Sequence, residues 1–346
     1  MSPVPRNRTT LEDVATKAKV SRATVSRVVR RVPGVDPDIV SRVNAAIAKT
    51  GYQVNRAARS LAGGATHNIA IIFREDFGDI FMNGYWGQVL EGVHEILQKE
   101  ELQTTILINH GQGAKQLPQY LLNGHIDGAI FLGTSVTDKL PLLLQRNNIP
   151  VVVFGDPYRG REISRVMGEE ILGGEIAAQE LLDSGCKEIG VISGSEEIAT
   201  NALRIDGFIA ALRLRGYTLN PSRIISGGFT QRGGYEAMHS LIKSFPKLDG
   251  IFVLSDLMAI GALEKLSRLK ISVPDEISVL GFDNSPSGNF THPRLTTVDT
   301  QPRQCGVSLA QMLIQLISGS EIRSVMYPPK LVSRESTKAS RDRKQQ

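Results

Sequence analysis

From residue 66 onward the sequence alternates short, nearly unbroken apolar runs with amphipathic stretches of helical period, and no other feature narrows the fold as far. The runs cover 69–73, 104–109, 128–133, 151–155, 189–193, 251–254 and 277–282. A strand with one solvated face alternates polar and apolar residues. A continuous run separated from the next by a helix is the pattern of a parallel sheet covered on both faces. About 270 residues of this texture exceed one ordinary domain and predict two doubly wound α/β lobes. In such sheets ligands bind beyond the carboxyl ends of the strands. The residues there are polar: Arg74-Glu75-Asp76, Thr134, Asp156, Ser193, Ser255-Asp256 and Asp283-Asn284. For Asp256, ahead of Leu257-Met258-Ala259, a pocket role and a helix cap stay level as readings.

Residues 1–65 are different in kind. Thr10 followed three positions later by Asp13 forms a capping box, with Leu11, Val14, Ala15 and Ala18 on one apolar face. Ser21 caps a second helix with Val25, Val28 and Val29 inward. Asp36-Pro37-Asp38 opens a third, striped by Ile39, Val43 and Ile47 and stopped by Gly51. A shorter helix over 55–62 ends at Gly63-Gly64. Charge follows the same boundary. The chain of 346 residues carries +5, but its first 65 hold nine Arg and three Lys against four acids, a surplus of +8 that leaves −3 for the rest. Basic charge confined to a small helical segment points to nucleic acid.

Several chemistries are missing. No GxGxxG turn, Walker A loop, GxSxG elbow or HExxH pair occurs, the six His are scattered, and Gly111-Gln112-Gly113 lacks the third glycine of a dinucleotide turn. The expectation is therefore no cofactor, no metal and no enzyme activity. Cys186 and Cys305 stand 119 positions apart in no metal or redox spacing, which fits a reduced cytoplasmic protein. The first ten residues lack the apolar core of a secretion signal, and no apolar run is long enough to span a bilayer, so no membrane partner is expected.

Thr10 through Ala15, a turn over Lys19-Val20-Ser21, then Arg22 through Arg27 have helix-turn-helix spacing. Arg22, Ala23 and Arg27 are expected to reach base edges, since arginine pairs bidentately with guanine and alanine touches a thymine methyl. Ser21, Thr24 and Ser26 suit phosphate oxygens, which position without specifying, and Thr10 is expected in the DNA-binding set with them. On TLEDVATKAKVSRATVSRVV and GYQVNRAARSLAGG, together with SDLMAIGAL (255–263), ISVLGFDNSP (277–286), PRLTTVDTQP (293–302) and VSRESTK (332–338), the chain resembles the lac repressor/galactose repressor family over almost its whole length. The resemblance implies a helix-turn-helix headpiece (1–54), a hinge helix and linker (55–65) and a two-lobed core like periplasmic binding proteins (66–337), with a disordered tail (338–346). It divides the core into an N-lobe of about 66–156 and 291–321 and a C-lobe of about 157–290 and 322–337. It also implies a cytoplasmic homodimeric regulator of a pseudo-palindromic operator, controlled by a small effector between the lobes. The other reading, a solute-binding transport component on the same core, would have no use for residues 10–62.

Carried over by position, Asn55, Arg59 and Leu61 belong to the hinge, with Leu61 wedging into the minor groove, and Arg30 stands where asparagine is common and adds a phosphate contact. Val54 replaces a usual proline. In the core, the resemblance makes Arg204 the holder of effector hydroxyls or a carboxylate, Asp283 an acceptor from sugar hydroxyls, and Phe229 an aromatic against the ligand ring. Tyr85 and Trp86 face it from the other side, although a core role for Trp86 is equally open. Asp156, Ser255 and Asp256 complete the expected set. At a further pocket position, Glu169-Glu170 stands where an Asp-Asn pair is common. The walls fit a sugar, and purine-type effectors use similar ones.

Overall fold

The computed structural model describes residues 9–29, 32–52, 65–74, 80, 84–109, 114–158, 163–321 and 323–338. The chain forms two compact units, 1–66 and 67–346. Arg30, Asn55, Arg59 and Leu61 lie outside the described residues, as do Glu75, Asp76, Gly111-Gln112-Gly113 and all of the tail except Lys338.

In the first unit, α1 (Leu11–Ala18), α2 (Arg22–Val29) and α3 (Pro37–Thr50) surround a core of Val14, Ala15, Ala18, Val25, Val28, Val43 and Ala46. The predicted capping box is present at Thr10 and Asp13. Lys19 closes α1 in the left-handed region at φ +52°, and the Arg42 guanidinium of α3 donates to the Ala18 and Lys19 carbonyls at 2.6 and 3.1 Å. A cation on the free carbonyls of a helix end is favoured by the helix dipole, so one side chain fixes both the turn and the α1–α3 packing.

The second unit holds two six-stranded sheets. The first is ordered β11-β5-β4-β3-β1-β2, all parallel, from β1 (Asn68–Phe73), β2 (Gln103–Ile108), β3 (Gly128–Leu132), β4 (Val151–Phe154), β5 (Ser164–Gly168) and β11 (Ser324–Tyr327). Along β1, Ile69, Ile71 and Phe73 enter one core and Ala70 and Ile72 the core on the opposite face, which is why the run has no polar position. The second sheet runs β12-β10-β9-β8-β6-β7, from β6 (Ile189–Ser193), β7 (Ile224–Ser226), β8 (Gly250–Val253), β9 (Ser278–Phe282), β10 (Thr296–Asp299) and β12 (Lys330–Val332). Only β12 is antiparallel. Both sheets thus repeat the 2-1-3-4-5 order, whose switch point lies beside the first strand.

The helices that carry or support the site are α4 (Gly84–Lys99), α7 (Glu170–Asp183), α8 (Ala199–Leu214), α9 (Gln231–Ser244), α10 (Asp256–Arg268) and α11 (Pro302–Ile317). Two short helices, α5 (Leu117–Leu122) and α6 (Leu140–Arg146), cover the first sheet. The lobe limits drawn from sequence need correction. β5 follows position 156 yet pairs in the first sheet, β10 follows 290 yet pairs in the second, and β11 follows 321 yet returns to the first. The chain therefore changes lobe after Gly168, after Asp299 and after Tyr327. Each lobe takes one further strand before the chain leaves it, and those strands are too short or too polar to register as apolar runs.

Candidate functional site

Between the two lobes, at the carboxyl ends of their strands, lies a pocket of about 670 Å³, part of it open to solvent. Of the eight residues expected there, Tyr85, Trp86, Asp156, Arg204, Phe229, Ser255 and Asp283 line it. Phe154, Thr134, Thr200 and Glu170 join them. Tyr85 and Trp86 project from the first turn of α4 and meet edge to face at 5.1 Å, with Phe154 at 6.1 Å from each. Trp86 also belongs to the buried core beneath, so the two readings of it are one position seen from two sides. Phe229 stands on the other lobe, its ring so close to Gly194 that a Cβ there would meet it at 2.0 Å.

The polar centre is Arg204 of α8, which is buried. Its Nε donates to Glu170 Oε2 at 2.6 Å, its Nη1 donates to the Leu254 carbonyl at 2.7 Å and lies 3.6 Å from Asp283 Oδ1, and its guanidinium stacks on Phe282 at 3.9 Å. Burial works against this charge, but Glu170 and then Asp283 hold the arginine above its ordinary pKa. Burial drives the Asp283 carboxyl well above the carboxylate range, with Arg204 opposing it. Tyr85 is likewise raised, first by burial and then by Asp283. An acid pair around one guanidinium gives acceptors and donors that point at a common space. That space is walled by aromatic rings, a combination suited to a ring bearing hydroxyls.

Asp256 does not line the pocket, nor does it cap its helix. Ser255 is the cap of α10, accepting from Met258 N at 3.3 Å. The Asp256 carboxylate is fully buried behind the site, accepting from Ser285 N and Thr297 Oγ1 at 2.7 Å each, in room left by Gly281. It holds the loop that presents Asp283. Arg74 is also absent from the lining. Its guanidinium crosses the cleft to Glu197 at 2.7 Å. Glu170 belongs to the Glu169-Glu170 pair that the family likeness puts at a changed pocket position, but its pairing with Arg204 depends on α7 and α8 crossing, which no local spacing reports. The one signal was an acid at a place where an amide is common.

On the headpiece, Ser21, Arg22, Ala23 and Arg27 are exposed along α2, with Thr24 and Ser26 half-buried beside them. Ser21 Oγ accepts from Thr24 N at 3.1 Å and bonds the Thr24 hydroxyl at 2.8 Å, so both serve the start of the helix. Arg22 pairs with Glu12 at 3.0 Å. The pair is exposed, and such a pair costs little to exchange for another partner.

The bacterial regulatory proteins of the lacI family match residues 10–55, and the periplasmic binding protein-like domain matches 178–337. The HTH-type transcriptional regulator CelR of Thermobifida fusca is 32% identical over 323 residues, covering 92% of this chain and 95% of that protein. This chain belongs to the lacI family. Catabolite control protein A of Priestia megaterium is 30% identical, over 95% of this chain and 99% of that one. Among solved structures, a complex of transcriptional regulator CelR with cellobiose superimposes with a TM-score of 0.76 at 30% identity, covering 95% of this chain and all of that one. A lac repressor dimer bound to operator and an anti-inducer gives 0.82 at 22% identity, covering 96% and 100%, a likeness of fold. The α/β architecture expected of a lacI-family regulator, N-terminal helices followed by two lobes of parallel sheet, is the one observed. Among the described residues, no helix is long and apolar enough to cross a membrane.

Proposed function

We propose that this protein is a dimeric, sequence-specific DNA-binding transcriptional repressor of the cytoplasm, whose operator affinity is set by a sugar held between the two core lobes. The observation that carries the effector reading is the buried Arg204, bracketed by Glu170 and Asp283 and faced by Tyr85, Trp86 and Phe229. The related CelR, solved in complex with cellobiose, supports a sugar over a nucleobase. In the headpiece (1–54), Arg22, Ala23 and Arg27 read bases, and Thr10, Ser21, Thr24, Ser26 and Arg30 contact phosphates around them. The hinge (55–65) contributes Asn55, Arg59 and Leu61 to the operator, with Leu61 in the minor groove. A two-fold dimer then binds a pseudo-palindrome through paired recognition and hinge helices. Effector binding shifts the balance between lobe arrangements, and operator affinity changes by the effector's preference between them.

Selection of random duplexes by the purified full-length protein tests the DNA reading. The expected outcome is a two-fold symmetric consensus whose affinity falls steeply with salt. Arg27→Ala should weaken binding to that consensus by about 1–3 kcal/mol, the range of one bidentate base contact, and relax selection at a single position of each half-site. Recovery of no preferred sequence would overturn the reading.

A further inference from the structure

The charges around the pocket define which sugars it takes, an argument that rests on the effector reading above. Among the described residues, four charged ones line the space: Arg204 against Asp156, Glu170 and Asp283. Arg165, behind the lining, lies 3.7 Å from Asp156 and offsets that acid. Two cations therefore face three acids. If Asp283 holds a proton, as its burial favours, the sum rises to zero and no further. Among the described residues, no surplus positive charge exists for a phosphate or carboxylate.

Arg204 cannot supply one by turning. Its Nε is bound to Glu170, its Nη1 is bound to the Leu254 carbonyl, and its plane is fixed on Phe282, which leaves Nη2 to face a ligand among the described residues. Glu170 is itself buried, at 3% exposure, so its charge is not screened by water. The remaining polar lining is neutral. Thr134 Oγ1 is buried, at 5% exposure for the residue, and has no hydrogen-bond partner among the described residues. A buried hydroxyl with no partner is a standing cost that a ligand hydroxyl would relieve.

We propose that the pocket admits an uncharged polyhydroxylated effector and rejects sugar phosphates and sugar acids, and that Glu170 sets this selectivity. A neutral hydroxyl donates to Glu170 or Asp283 and accepts from Arg204 Nη2 or Thr134. An anionic group in the same place meets Glu170 with no net positive charge among the described residues to offset it. Specificity of this kind comes from the repulsion built against the competitor as well as from contacts to the preferred ligand.

Isothermal titration of the full-length protein with charge-matched pairs decides it: cellobiose against cellobionate, and glucose against gluconate and glucose 6-phosphate. The expected result is binding of a neutral member with its anionic partner weaker by about 100-fold or more, the scale of a like-charge contact. In Glu170→Gln, which keeps the shape and the acceptor for Arg204, the gap should shrink to about ten-fold or less through tighter anion binding. Asp156→Asn removes another acid of the lining and should act in the same direction, so the test does not hang on one variant folding. Equal affinity of the wild type for both members of a pair would overturn the selectivity alone. A wild-type gap that neither variant narrows would overturn the role of Glu170. If no sugar of either charge binds, the effector reading falls together with this one.

Discussion

The backbone at Asp283 has φ +112° and that at Phe229 φ +62°, conformations that side chains rarely adopt and that cost about 1–3 kcal/mol each. Both residues line the pocket, so the strain sits where side chains must be aimed. At Asp283 the surroundings that hold it are identifiable. Its N–H donates to the Val298 carbonyl at 2.8 Å, and two residues later Ser285 N donates to Asp256. Asp256 is thus the anchor of the strained loop, and burial pushes its carboxyl up to about 7 against the hydrogen bonds from Thr297 and Ser285. The folded protein holds this proton more tightly than the unfolded chain, whose carboxyl has the ordinary value of 3.8. Its stabilising share is full below 3.8, shrinks as pH rises, and is lost above about 7. Asp256→Asn keeps an acceptor for Ser285 and has no proton to lose. The melting temperature of this variant, followed from pH 5 to pH 8, should decline less than that of the wild type. Parallel curves would show that Asp256 does not titrate in this range.

Glu170 and Arg204 meet because α7 and α8 cross at backbone contact, and two glycines permit it. A Cβ on Gly174 would stand 2.1 Å from the Arg204 carbonyl oxygen, and one on Gly207 would stand 2.0 Å from that of Ile171. Neither neighbour can move without moving its helix, so Gly174→Ala should destabilise by about 1–3 kcal/mol or more and disturb the buried ion pair with it. Gly87 on α4 is the contrast, since an added Cβ there meets nothing within 4 Å. Gly87→Ala should be neutral or stabilise by about 0.5–1 kcal/mol through lower chain entropy and better helix propensity. Denaturant midpoints for the two variants should therefore move in opposite directions. This crossing also marks what the sequence could express. Central strands such as β1, β3 and β8 are buried on both faces and read directly as apolar runs. β10 does not, because Thr296 and Thr297 are buried as hydrogen-bonded hydroxyls: Thr297 donates to Asp256, and Thr296 accepts from Arg334 N. Edge strands β7, β11 and β12 are short and half-exposed, so they lack the signal as well. For the pocket, the ends of strands gave Thr134, Asp156, Ser255 and Asp283, and family likeness gave Arg204 and Phe229. Family likeness also marked the position of Glu170, but its pairing with Arg204 needed the helix crossing.

Two lobes with the same strand order place their switch points face to face, so the pocket belongs to neither lobe alone and its shape depends on how they meet. The chain joins them at three crossings, which permit relative rotation without unfolding either core. In the present arrangement they also touch through the loops. Arg74, after β1, pairs with Glu197, after β6, and Val136 N, after β3, donates to the Glu197 carbonyl at 3.1 Å. Gln88 of α4 donates to the Asn284 carbonyl at 3.3 Å. Glu197 therefore gathers two contacts from the first lobe, one by its backbone and one by its side chain. The side-chain contact is the part that mutation can remove. Both partners are partly solvated, so the pair is worth about 0–1 kcal/mol, weakened further by salt. Glu197→Ala should shift the free protein toward a more open arrangement, with a larger radius of gyration by X-ray scattering. It should also weaken sugar binding by up to about five-fold at low salt, with the difference closing as ionic strength rises. Arg74→Ala should do the same, and the double variant should be no worse than either single one, since each removes the same contact. Additive losses would mean that the two side chains act separately, and unchanged affinity at low salt would mean that the ion pair spanning the cleft contributes nothing to closure.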